Sequence, residues 1–452
     1  MNKRKILLVS ANRFAVPYPV YPIGLSYLFS YLKTRLPDSD IRIFDFNLQK
    51  SQEFVQLLRE FKPDYTGISL RNVDDVNFYS KESFILGYKT IIDQVKEFAE
   101  TRLIIGGSGF SIYPELLFDL YEPEFGIFGE GEESLYRLII SLENNRDYSA
   151  IEGLVFRAEG KVRMNPRTNF IHCPDLTFDE SLIPYYWSKS GMMNVQTKRG
   201  CPYNCIYCTY PLIEGSKVRT LDPDRIIRTL SDLYYKQKID YVFFTDSVFN
   251  IDNEFNRILA EKMIRSGLKM RWGAYFSPHN LDEDLLKLLK RAGLTHIEFG
   301  TESLSDTVLR SYGKHFDVEQ VVEVSALCNK VDIYFAHFLI TGGYGETEDT
   351  VNEGFENSKR FFDTVFFPFI GMRIYPGTRL AKIALAEGVI DPEDDLLEPV
   401  YYIAPEIDYT TLKARSEQTG KRWVYPDEDV TRVMERMRSR NRKGSLWHHL
   451  KK

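Results

Sequence analysis

The stretch Asn194-Val-Gln-Thr-Lys-Arg-Gly-Cys-Pro-Tyr-Asn-Cys-Ile-Tyr-Cys208 leads a short strand candidate directly into three cysteines, Cys201, Cys205 and Cys208. Thiolates are soft ligands that select iron–sulfur clusters, zinc or Cu(I). A structural zinc site closes on four ligands, yet after Cys208 the next histidine is His279 and the next cysteine Cys328. Three thiolates on one loop suit three corners of a cubane [4Fe-4S] cluster and leave the fourth iron open to a ligand. A zinc site is the rival reading. The chain has five cysteines, and an odd count with three clustered is no disulfide framework. Cys173 and Cys328 stand alone and are expected as buried free thiols.

Downstream of this stretch, strand and helix patterns alternate. VQTKRG (195–200), YVFFTD (241–246), RWGAYF (271–276), HIEFGTE (296–302), YFAHFLITG (334–342) and FFPFIGMRIY (366–375) are strand candidates. Amphipathic segments such as DPDRIIRTLSDLYYKQ (222–237) and DEDLLKLLKRAG (282–293) lie between them. Six such units, over 194–390, predict a partial (β/α)6 barrel with its active site at the carboxyl ends of the strands. Residues 391–452 lack the alternation and form a short C-terminal extension. Its basic end, TRVMERMRSRNRKGSLWHHLKK, reads as a solvated helix.

Upstream, a second alternation fills residues 1–150. ILLVS (6–10), IRIFDF (41–46), YTGISL (65–70), LIIGG (103–107) and EFGIFG (124–129) are its strands, with helices in the gaps. The pattern predicts a doubly wound, Rossmann-like parallel sheet, whose ligands bind beyond the carboxyl strand ends. Those ends are SANRFAVPYPVYPIG (10–24), SLRNVDD (69–75), GGSGFS (106–111) and GEGEE (129–133). The connection, 151–193, opens with GLVFRAEGKVRM (153–164), which reads as a hairpin turning at Glu159-Gly160.

A chain of 452 residues suits two domains. Hydrophobic residues make up 43% and charged residues 27%, a globular composition. The net charge of -6 offers no electrostatic case for nucleic acid as a partner. No apolar run reaches the ~18 residues of a membrane span, and the first apolar run is too short for a signal peptide. A cytoplasmic protein is expected.

The CxxxCxxC spacing of Cys201, Cys205 and Cys208 resembles the signature of the radical S-adenosylmethionine (SAM) superfamily. The resemblance implies that the open iron binds the amino and carboxylate groups of SAM, which one electron cleaves to a 5′-deoxyadenosyl radical. It places Tyr207 near the adenine. Thr245, Asp246 and Ser247, in TDSVFN (245–250), stand where many members carry a GGE-type motif, and they retain acceptors for the SAM ammonium. HIEFGTES (296–303) resembles the fourth barrel strand, with Glu302 and Ser303 facing the ribose. ITGGYGETEDT (340–350) resembles the fifth, with Tyr344 where a proline is common, and RIYPGTRL (373–380) the sixth. Arg271 is a candidate for the SAM carboxylate or electron transfer. His337 is expected in the core or lining a pocket.

A doubly wound domain ahead of such a barrel resembles the cobalamin-dependent radical SAM enzymes, which hold a corrin between sheet and barrel. That likeness assigns Gly106, Gly107, Gly109, Gly129 and Gly131 to the nucleotide tail, and Asn72, Asp74 and Asp75 to corrin side chains. The loop 10–24 becomes the lower-face contact. Residues 1–171 contain no histidine, so this domain offers none below the cobalt, as in the radical SAM methylases. No cysteine precedes Cys173 or follows Cys328, which supports a single cluster. The expected activity is radical C-methylation of a small molecule or lipid, fed by an external electron donor of flavodoxin or ferredoxin type. Cobalamin-associated cyclisation or oxidation is one alternative. A radical SAM enzyme whose first domain binds substrate instead of B12 is another, and a zinc-binding adaptor is a third.

Overall fold

The computed structural model describes residues 3–171, 174–440, 442–445 and 450; Cys173 lies outside them. The first sheet contains β1 (Lys5–Ser10), β2 (Asp40–Asp45), β3 (Tyr65–Ser69), β4 (Arg102–Gly106), β5 (Phe125–Ile127), β6 (Leu154–Ala158) and β7 (Lys161–Met164). Its order is 2-1-3-4-5-6-7. The first five strands are parallel. Ile6 to Val9 are buried on both faces, which is why the strand reads as an unbroken apolar run. The strand order reverses at β1 and β3, and the loops that leave them open a crevice there.

The hairpin at 153–164, assigned to the connection from sequence, instead extends this sheet. β6 pairs antiparallel with β5 and β7 with β6. Glu159 (φ 52°) and Gly160 (φ 77°) both turn left-handed between them, the backbone of a two-residue hairpin whose twist matches its strands.

The second sheet holds seven parallel strands, one more than the six expected. Met193–Val195, Tyr241–Phe244, Arg271–Phe276, Leu294–Glu302, Tyr334–Thr341 and Val365–Ile370 follow in chain order, and the short Arg422–Trp423 pairs with Val365–Ile370 at the far edge. This last strand comes from the C-terminal extension. Two residues are too few to give a periodic signal. Val242, Phe244, Trp272, Ala274, Phe276, Ile297 and Phe299 share one buried core with the helix residues Leu259, Leu285 and Leu289. Alternation along each strand therefore turns Phe243 and Tyr275 to the barrel interior.

The two sheets are joined by more than the linker. Tyr18, from the loop after β1, packs between two clusters of the second domain, one with Ala336 and Val365 and the other with Tyr241 and Phe243. Tyr113 donates a hydrogen bond to the Leu396 carbonyl at 2.7 Å. Phe78 lies edge-on against Tyr401 and Tyr409. Among the described residues, no helix is long and apolar enough to cross a membrane.

Candidate functional site

The three-cysteine loop leaves the strand Lys198–Arg199 through Gly200 (φ 84°), where a Cβ would collide with the Lys217 carbonyl. Only glycine fits that turn. Backbone bonds then hold the loop at several points. Cys201 donates to the Gly215 carbonyl at 3.1 Å, Ile206 to Tyr312 at 3.1 Å, and Leu380 to Ile206 at 2.8 Å. Cys201 is buried, and all three thiols are free. They lie close enough to act on one another electrostatically. Burial, reinforced by the neighbouring thiols, pushes Cys208 up to about 12 and raises Cys201 as well. A soft metal that displaces the proton suits such a donor set. Among the described residues, no three His, Cys, Asp or Glu side chains form a group that could hold a single metal ion. A cubane spreads its corners more widely, because each thiolate binds a different iron.

Tyr207 meets Tyr312 edge-on at 6.5 Å. Burial, then the charge of Glu302, raises its hydroxyl. Glu302 ends its strand in a left-handed conformation (φ 65°), beside a register shift between Gly300 and Glu302. Its carboxylate pairs with Lys314 at 3.3 Å. Ser303 is buried, and its hydroxyl accepts the Ser305 N–H at 3.2 Å, so it serves the turn that places Glu302.

At the end of Tyr241–Phe244, Thr245 faces the space between the domains. Ser247 has a buried hydroxyl with no hydrogen-bond partner, an atom that calls for a ligand. Asp246 departs from expectation. It accepts the Thr197 N–H at 2.6 Å and the Lys198 N–H at 3.0 Å, and it pairs with the Lys198 ammonium at 3.2 Å. With its acceptors so occupied, it braces the strand entering the cysteine loop and offers little to a ligand. Arg271 is a clear correction. It begins its strand, at the end opposite the cysteine loop, and pairs with Asp240 at 2.8 Å. His337 is a core residue between Phe299 and Phe366, bonded to Thr301 at 2.8 Å and pushed down to about 3 by burial. Cys328 is fully buried in the helix-side core.

Between the carboxyl ends of the two sheets lies a cleft of about 480 Å³. Ser10, Asn12, Arg71, Asn72, Gly106, Gly107, Gly129 and Gly131 line one wall, and Asn194, Thr209, Tyr210, Thr245 and Tyr375 the other. Gly109 does not line it. Its N–H donates to the Leu70 carbonyl at 2.8 Å, and a Cβ there would press on the 70–72 backbone. Asp74 borders the cleft, but its oxygens are engaged by the Arg373 guanidinium and the Val76 N–H. It is a strut between domains and not a free partner for a corrin amide. Asp75 caps its own loop through Asn77 and Glu82 N–H groups. The cleft also holds unmet capacity: the buried Tyr27 hydroxyl has no hydrogen-bond partner, and a Cβ on Gly24 would meet nothing within 4 Å.

Two family models match the halves of this arrangement, a B12 binding domain over residues 9–139 and the radical SAM superfamily over 195–356. The chain carries a B12-binding domain followed by a radical SAM domain. It is 27% identical over 409 residues to an uncharacterized methyltransferase of Pyrococcus horikoshii, covering 86% of this chain and 85% of that protein. It is 24% identical over 457 residues to tryptophan 2-C-methyltransferase of Streptomyces laurentii, covering 86% and 75%. The fold matches the radical SAM methyltransferase TsrM of Kitasatospora setae, solved with tryptophan and a SAM analogue, with a TM-score of 0.88 at 19% identity over 99% and 97% of the two chains. A second structure of that protein holds cobalamin and a [4Fe-4S] cluster and matches at 0.86, with 20% identity over the same shares.

Several residues of the site escaped the sequence reading. Glu130 and Glu132, at the end of the B12-binding sheet, form buried ion pairs with Arg199 and Arg219 of the radical SAM domain. They were legible only as part of a Gly-rich strand end, since their partners lie far along the chain. Glu346, in the Gly-rich turn after the fifth barrel strand, accepts the Gly342 N–H. Lys314 belongs to no motif at all. It follows the helix Asp306–Ser311 by three residues, and nothing in the local sequence marks it as enclosed.

Proposed function

We propose that the protein is a cobalamin-dependent radical SAM methyltransferase that C-methylates an unactivated carbon of a small molecule or lipid. The observation that carries this reading is the cleft that both sheets share, walled by the loops flanking the β1/β3 reversal on one side and by Thr209 and Tyr210, directly after Cys208, on the other. Bound there, the cluster would supply the electron that cleaves SAM, and the corrin would carry the methyl group.

The residues have distinct tasks. Cys201, Cys205 and Cys208 would hold three irons. Thr245 and Ser247 present hydroxyl groups to the SAM ammonium, while Tyr207 and Glu302 flank the cofactor. Asn72 and the small side of Gly106, Gly107, Gly129 and Gly131 let a corrin approach the backbone. The enclosing walls exclude water from reactive carbon centres. An external donor of flavodoxin or ferredoxin type would deliver the electron.

Anaerobic incubation of the reconstituted full chain with SAM and dithionite tests the reading. Formation of 5′-deoxyadenosine is expected, with none from Cys201→Ala, Cys205→Ala or Cys208→Ala. Reconstitution with hydroxocobalamin should yield a bound corrin spectrum. Label from the SAM methyl group should appear in the product, and its absence would turn the assignment to cyclisation or oxidation. A chain that binds one zinc and no iron would end it.

A further inference from the structure

Lys314 is 9% exposed at its side chain and ends no surface feature. Its ammonium sits 5.6 Å from the centre of the Tyr207 ring and 6.0 Å from that of Phe316. The chain around it runs alongside the cysteine loop. The Tyr312 carbonyl accepts the Ile206 N–H at 3.1 Å, and a Cβ on Gly313 would lie 2.9 Å from the Asn204 carbonyl and 3.8 Å from Cys205 Cα. Cys201, Cys205 and Cys208 all interact electrostatically with Lys314.

A lysine is almost never enclosed unless it is paired. Here the desolvation is offset by Glu302 at 3.3 Å and by the Gly300 carbonyl at 3.4 Å. The carboxylate is itself held in a left-handed backbone, a conformation that persists only where its surroundings impose it. The ammonium therefore lies over Tyr207 and within electrostatic reach of the three thiols, with Glu302 as its counter-charge. A positive charge behind an iron–sulfur cluster favours its more negative, reduced form, because the potential depends on local charge and solvent access.

Resting on the cluster assignment above, we propose that Lys314 is a positioning residue for electron entry: its buried ammonium raises the reduction potential of the cluster, and Glu302 sets how far. No bond is made or broken in this role. The electron arrives from the external donor, and the lysine makes its arrival less uphill.

The test is an EPR-monitored redox titration of the anaerobically reconstituted full chain, without SAM. Iron and sulfide content is measured first. A wild-type chain that holds no [4Fe-4S] cluster refutes the functional reading and leaves nothing for Lys314 to tune. With the cluster present, Lys314→Met is expected to lower the reduced-to-oxidised ratio about tenfold at a fixed potential, about 59 mV for one electron. Lys314→Arg should stay near wild type. Glu302→Gln should move the ratio in the opposite direction, a reversal that mere structural support does not produce. An unchanged ratio in Lys314→Met with weakened SAM binding would overturn the proposal and make Lys314 a SAM ligand. Should Lys314→Met hold no cluster, Glu302→Gln alone carries the test, and an unshifted titration there overturns it.

Discussion

Glu346 shows how much a single side chain can store. Burial, partly offset by the Gly342 and Gly343 N–H groups, pushes its carboxyl from 4.5 up to about 7. The folded state therefore holds a proton that the unfolded chain releases. This contribution to stability is whole below about pH 4.5 and is lost as the pH rises through 7. Glu346→Gln mimics the protonated acid and keeps the acceptor. The gap in melting temperature between variant and wild type is expected to widen from pH 5 to pH 8, by up to about 3 kcal/mol in stability terms. Equal gaps at both values would refute the assignment. At this scale CxxxCxxC is a local chemical pattern, visible without any tertiary contact. Arg271 was misjudged although its place was legible: it opens the strand candidate 271–276, whereas the site of such a barrel lies at the carboxyl ends. Asp246 and Asp74 were misjudged because their partners, Lys198 and Arg373, are remote in sequence.

Among the elements, the β6–β7 hairpin offers a direct experiment. Its turn needs two left-handed residues and has glutamate at the first, with φ 52°. Asparagine tolerates that backbone far better. The Glu159–Arg163 ion pair that would be lost is exposed and is worth little. Glu159→Asn is expected to stabilise the chain by about 0.5 kcal/mol, read as a higher denaturant midpoint; a lower midpoint would show that the turn is not of this type. Helices were legible to within a few residues where periodicity met a cap. The helix Glu283–Arg291 starts at Asp282, whose carboxylate accepts the Leu285 N–H at 2.7 Å, and stops just before Gly293 (φ 104°). The two-residue strand Arg422–Trp423 carries no such signal, and it exists because an open barrel edge offers it unpaired backbone groups.

For the molecule as a whole, the Asp74–Arg373 pair ties the B12-binding loop after β3 to the radical SAM domain. Its side chains are 0% and 2% exposed. Arg373→Met leaves a buried carboxylate alone and should cost about 3–5 kcal/mol. Limited proteolysis in the 165–182 connection should speed up, and Asp74→Asn added to the same chain should restore part of the loss. An unchanged melting curve would remove the strut from the account. A second expectation concerns the cleft, whose lining has no histidine among the described residues. EPR of added cob(II)alamin should lack the nitrogen splitting of a histidine ligand, and its presence would mean that a residue from elsewhere reaches the cobalt. Composition, periodicity and cysteine spacing determined on their own that two α/β units stand in series and that one carries a three-thiolate loop, because each is written in residues close together in the chain. Only the tertiary structure decided that the carboxyl ends of the two sheets meet across one cleft, that Lys314 comes within electrostatic reach of the thiols, and that Glu130, Glu132 and Asp74 are spent on arginines of the other domain. Burial and ion pairing depend on which distant segments touch, and no local pattern encodes that.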